Sequence, residues 1–120
     1  MSEVPIDTVA YKIVDAAEWA DAERTGAYAG APVDLQDGYI HMSTQDQLAE
    51  TASKHFAGRR DLLLLDVDLA ALGDTLVWEP SRGGALFPHI YGPLPVAAVT
   101  QSRAFSVAGD GSIVFQDAPA

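Results

Sequence analysis

The chain has 120 residues, 48% hydrophobic and 20% charged, with no cysteine and a formal net charge of −10. That size predicts one domain over 1–120, with a core at about 9–115 and a flexible tail at 116–120. The absence of cysteine excludes a disulfide framework and a thiolate metal site, and the acidic balance argues against an extended nucleic acid interface, which needs a basic stripe.

Residues 1–7 carry no basic region and no apolar core, and no apolar run approaches a membrane span, so a soluble cytoplasmic protein is expected. Thr8 to Val14 is rich in β-formers and predicts the first strand. Asp15 caps a helix, with Glu18 three residues later as its box partner, and that helix runs to about Arg24 and stops near Gly26. Gly30, Pro32 and the Asp37-Gly38 pair then read as a loop ending in a turn.

Tyr39 to Met42 predicts a short strand. Thr44 and Gln47 form a second capping box, and Leu48, Ala52, His55 and Phe56 share one face of the helix that follows. His55 is therefore expected in the core or lining a cleft. Leu62 to Val67 is a continuous apolar run, the signature of a buried central strand. Asp68 to Leu72 suggests one helical turn ending at Gly73, and Leu76 to Trp78 another strand. Pro80 to Pro88 reads as a loop with two adjacent glycines. Val96 to Thr100 and Arg103 to Val107 are late strands or one bent strand, closed by a hairpin through Gly109-Asp110-Gly111. Helices early and strands later give an α+β fold with a mixed or antiparallel sheet and two main helices in the N-terminal half. No G-x-G-x-x-G or P-loop pattern is present.

Two polar clusters carry the candidate chemistry. In the first, alternation puts Tyr39, His41 and Ser43 on one strand face beside a helix N-terminus, a natural place for an anion. Thr44 is read mainly as a cap. In the second, Glu79 follows Trp78 at a strand end, where its carboxyl could hold a raised pKa or bind ribose hydroxyls. Arg82, Gly83 and Gly84 offer a guanidinium and backbone amides to phosphate or carboxylate. His89 and Tyr91 lie two apart and share a face, joined by Phe87. The two clusters are expected to be halves of one site. His41, His55, His89 and Glu79 could together bind metal, although their spacing shows no H-x-x-x-H pattern.

The segments Tyr11-Lys12-Ile13, Asp37-Gly38-Tyr39-Ile40-His41-Met42-Ser43-Thr44, Trp78-Glu79, Arg82-Gly83-Gly84 and Phe87-Pro88-His89-Ile90-Tyr91-Gly92 resemble the small bacterial family called domain of unknown function 952, over about residues 9–105. That layout is similar to the ADP-ribosyltransferase-like fold, in which a strand runs into a helix through a Ser/Thr step beside an NAD cleft. The resemblance implies Ser43-Thr44 as that step and Glu79 as one candidate for the acidic residue that contacts ribose. Where those transferases carry His or Arg on the first strand, this chain offers Lys12.

Three functions follow as expectations. The first is an enzyme-like domain that binds NAD, a related nucleotide or another phosphorylated small molecule. Glu79, His41 and His89 would be catalytic, and Lys12, Tyr39, Ser43, Arg82, Gly83, Gly84 and Tyr91 would hold the ligand. The second is a non-catalytic binding module for a small anionic metabolite. The third is a metal-dependent hydrolase.

Overall fold

The apolar run that begins at Leu62 becomes the centre of the largest sheet in the computed structural model, which describes residues 7–80 and 84–115. In chain order the elements are β1 (Val9–Asp15), α1 (Ala16–Thr25), β2 (Ala27–Tyr28), α2 (Pro32–Asp37), β3 (Ile40–His41), α3 (Gln45–Phe56), β4 (Leu62–Asp68), β5 (Leu76–Pro80), β6 (Leu86–Ile90), β7 (Leu94–Pro95), β8 (Val99–Val107) and β9 (Ile113–Phe115). Short 3-10 stretches at Leu69–Thr75 and Val96–Ala98 precede β5 and β8. The pairings are antiparallel, in a four-stranded sheet of order β1-β4-β8-β9, a three-stranded sheet of order β3-β6-β5 and a two-stranded β2-β7 ribbon. The expected α+β architecture with antiparallel sheets is therefore present.

β4 is apolar from Leu62 to Leu65 and again at Val67 because both of its faces are covered. Leu62 and Leu64 join Ile13, Ala52, Phe105 and Val107 under α3. Leu65 and Val67 turn the other way, into the larger core with Val14, Trp19, Ile40, Met42, Ile90 and Leu94. The four-stranded sheet is thus a middle layer, with α3 on one side and α1 and the smaller sheets on the other.

Local chemistry sets the helix ends. Asp15 caps α1 by accepting from the backbone N–H groups of Ala17 and Glu18, and Gly26 closes it in the left-handed region at φ 94°. Gln47 bonds back to the Thr44 N–H at 3.0 Å and also donates to the Leu86 carbonyl at 2.7 Å, tying α3 to β6.

Four sequence expectations are corrected. The segment read as a loop contains α2. Pro32 sits in its first turn, Asp34 bonds back to the Ala31 N–H at 2.8 Å, and Gly38 at φ 87° is its C-terminal cap. His55 is exposed, because the larger apolar Phe56 takes the partly buried position in the last turn of α3. The Pro80 to Pro88 loop is shorter than expected, since β5 runs to Pro80 and β6 starts at Leu86. Val96 to Ala98 form a 3-10 turn where a strand is expected, while the remainder is the one bent strand given as the alternative, β8, whose register with β4 shifts at Asp66/Val67. The tail at 116–120 lies outside the described residues. No helix among the described residues is long and apolar enough to cross a membrane.

Candidate functional site

The three-stranded sheet explains why the two polar clusters meet. β3 pairs with β6 so that His41 faces His89 and Ile40 faces Ile90. Side chains alternate across a strand, so Ile40, Met42 and Ile90 enter the core while His41 and His89 stand together on the other face. β5 pairs with β6 with Val77 opposite His89, which sets Glu79 diagonal to His89 on that same face.

On this face Glu79 accepts two hydrogen bonds through one oxygen, from His89 Nδ1–H at 2.7 Å and from the Tyr91 hydroxyl at 2.7 Å. The His89 bond first, and the Tyr91 bond second, hold the Glu79 carboxyl below its ordinary value. The raised Glu79 pKa expected from its aromatic neighbour is reversed, because donors reach the carboxylate. The same bond, with some burial, pushes the Tyr91 phenol up to about 12. Tyr39 stacks on His89 with ring centres 4.2 Å apart, lies 4.7 Å from the His41 ring and 5.3 Å from the Tyr91 ring. Burial first, then the charges of Asp37 and Glu79, raise the Tyr39 phenol. The His41 and His89 rings meet edge to face at 5.5 Å.

His41 also belongs to a buried network that sequence reasoning missed. Asp34, 2% exposed in α2, accepts from His41 Nδ1–H at 2.6 Å, from the His41 backbone N–H at 3.1 Å and from the Ala31 N–H, and pairs with Lys12 at 3.0 Å. Burial pushes the Asp34 carboxyl up. The His41 bond, the Lys12 charge and the two backbone donors outweigh it and bring the pKa down to about 2. Burial pushes the Lys12 ammonium below its ordinary value, against the pull of Asp34. The second His41 nitrogen, Nε2, lies 2.9 Å from Asp37 at the end of α2. A carboxylate only accepts, so both contacts are satisfied together when both ring nitrogens carry protons. His89 differs, because its bonded nitrogen is Nδ1. The neutral ring then keeps its lone pair on Nε2.

Gly30 makes room for this network. Its φ is +123°, and a Cβ there would come within 2.9 Å of the Asp34 Cβ. Gly30→Ala is expected to cost about 1–3 kcal/mol through backbone strain and overpacking. Urea unfolding checks this, and an unchanged midpoint would show that α2 yields without loss.

The expected residues divide in space. Tyr39, His41, Glu79, His89 and Tyr91 come together. Lys12 is buried against Asp34. Ser43 is buried, with its hydroxyl 2.8 Å from that of Thr51 on α3 and its backbone bridged to Tyr11. Gly84 is exposed at φ +89°, and Arg82 and Gly83 lie outside the described residues. Among the described residues no group of three or more His, Asp or Glu side chains is arranged to hold a metal ion. A cavity of about 230 Å³ borders Tyr39 and Asp34, and a larger one of about 310 Å³ lies beside Lys12. Neither is lined by His41, Glu79 or His89. The signal for Asp34 was present: Pro32, an acidic third position and Gly38 mark a short helix.

The fold has solved counterparts. The crystal structure of protein CC0527 from Caulobacter crescentus is 48% identical, covers 91% of this chain and 94% of its own, and superposes with a TM-score of 0.83. The solution NMR structure of the same protein is also 48% identical, covers 88% and 90%, and gives a TM-score of 0.76. No curated protein matches the chain. Residues 13–102 match the family described as "Protein of unknown function (DUF952)", and the chain belongs to that family.

Proposed function

We propose that this protein is a small enzyme acting by acid–base chemistry on NAD, a related nucleotide or another phosphorylated small molecule, with an ADP-ribosyltransferase-like layout. One observation carries the reading. His41 and His89 are paired across two strands, and each Nδ1 is held by its own carboxylate, Asp34 and Glu79. An imidazole fixed at Nδ1 by a carboxylate has a defined orientation and tautomer, the arrangement general acid–base catalysis uses. His41, bonded at both nitrogens, suits the acid. His89 suits the base. Glu79 stays ionised, the state that accepts ribose hydroxyls and favours developing positive charge. Tyr39 and Tyr91 supply rings on which a base or nicotinamide can stack. Ser43 and Lys12, turned inward, leave ligand contacts to these aromatic and carboxylate groups.

Calorimetry with NAD, ADP-ribose and a nucleotide panel tests the reading. Binding at millimolar concentration or tighter is expected, with shifts of the His41 and His89 ring signals in NMR. Absence of binding across the panel removes NAD and nucleotides as ligands. A second reading, a binding module for a small anionic metabolite, is favoured by the dyads lying outside both cavities. It predicts binding without turnover.

A further inference from the structure

The larger cavity is walled by β1, α1, the start of α2 and the end of α3, apart from the His41–His89 pair. Its polar groups are incompletely answered. The Tyr28 hydroxyl is buried without a hydrogen-bond partner among the described residues. Burial raises its pKa first, with help from nearby Asp34 and Glu18, so it stays a neutral donor. Lys12 Nζ has three donors, and among the described residues its bonds go to Asp34 alone. Buried polar groups are nearly always paired, so an acceptor in this cavity would satisfy both. Arg59 lies on the Phe56 ring at 5.5 Å, and its closest carboxylate, on Asp15, is 3.9 Å away, beyond hydrogen-bond length. Glu18, exposed on α1, has no ion pair among the described residues, yet its charge acts on both Lys12 and Tyr28. Its carboxyl comes near the Tyr28 hydroxyl without reaching hydrogen-bond geometry.

We propose that this cavity binds a small zwitterion of the amino-acid class. Lys12, Tyr28 and Arg59 receive its carboxylate, Glu18 receives its ammonium, and a short apolar side chain rests on Val33 and Phe56. Charge balance selects the zwitterion. Asp34 already neutralises Lys12, so a bare acid would meet Asp15 and Glu18 uncompensated. A bare amine would leave Tyr28 and Arg59 unanswered. The volume of about 310 Å³ is at the small end for ligand sites, about 300–1,000 Å³, which fits a molecule of few heavy atoms. This site is independent of the nucleotide reading and stands or falls separately.

The test titrates the full chain with valine, isobutylamine and isobutyrate, by calorimetry and ¹H–¹⁵N NMR. Valine is expected to bind and to shift the amide signals of Val14, Tyr28 and Val33. The amine and the acid are each expected to bind about tenfold more weakly, the loss of one charge-assisted contact. Tyr28→Phe removes only an unpaired hydroxyl, so it keeps the fold. It is expected to weaken valine about fivefold, the size of one hydrogen bond. Isobutyrate binding as well as valine, no valine binding at millimolar concentration, or a Tyr28→Phe variant of unchanged affinity would each overturn the proposal.

Discussion

Asp34→Ala is expected to destabilise the protein by about 3–5 kcal/mol, the cost of breaking a buried pair from one side. The reason lies in what it leaves behind. Lys12 is 6% exposed and, among the described residues, makes its hydrogen bonds to Asp34 alone. Without the carboxylate its ammonium is a buried charge with no counterion, and His41 loses both the 2.6 Å side-chain bond and the 3.1 Å backbone bond. α2 loses its anchor too, because Asp34 is its buried side chain while Val33 and Leu35 are 54% and 63% exposed. Lys12→Met should cost less, since Asp34 keeps His41 and Ala31 as donors. The double variant Asp34→Leu, Lys12→Met should recover much of the loss, because an apolar pair needs no solvation. Urea unfolding of the three variants measures all of this, and a double variant no better than Asp34→Ala would place the cost in α2 rather than in the stranded charge.

The same pair has a pH signature. The folded pKa of Asp34 is lowered from 3.8 to about 2, so the unfolded chain takes up its proton first as pH falls. Its contribution is complete above about pH 5 and fades as pH drops toward 2. The stability gap between the natural protein and Asp34→Ala should therefore narrow over that acid range.

Asp34 also shows where sequence reasoning reached its limit. The strands and their faces were legible, because alternation puts Ile40 and Met42 inside and Tyr39 and His41 outside whatever the partner strand. The same rule joined His89 to Tyr91. Whether His41 met His89 was not legible, since it depends on the β3–β6 register, which is set by packing between segments far apart in the chain. Asp34 sits among Gly30, Pro32 and Gly38, where an acid reads as a turn former, and it gains its role only when Lys12 and His41 arrive from other strands. A lysine in mid-strand likewise carries no mark of burial, because lysine is rarely buried unless paired. His55 failed for a different reason. Helical periodicity tells which residues share a face but not how far the sheet extends beneath the last turn.

In the enzyme reading, Glu79→Gln is expected to lower turnover by roughly 10²–10⁴-fold while changing ligand affinity far less. The substituted amide keeps the volume and one acceptor oxygen, so the fold survives, but the negative charge beside His89 is gone. His89 then loses the negative charge that would stabilise its imidazolium, and the ribose-facing carboxylate is lost with it. In the module reading the same variant shifts affinity alone, because there is no turnover to lose. A readout that needs no substrate comes from Tyr91→Phe. Tyr91 donates to Glu79 and helps hold its carboxyl below the ordinary 4.5. Removing a bond to the charged form must move that carboxyl upward, toward the ordinary value and not below its present one. NMR titration of the Glu79 side-chain carboxyl in both proteins measures the shift directly. An acid limb in any pH–rate profile should move the same way, so Tyr91→Phe would need a higher pH to reach full activity. A carboxyl that titrates identically in both proteins would mean that Tyr91 does not hold Glu79 in solution, and that the His89 bond is what lowers it.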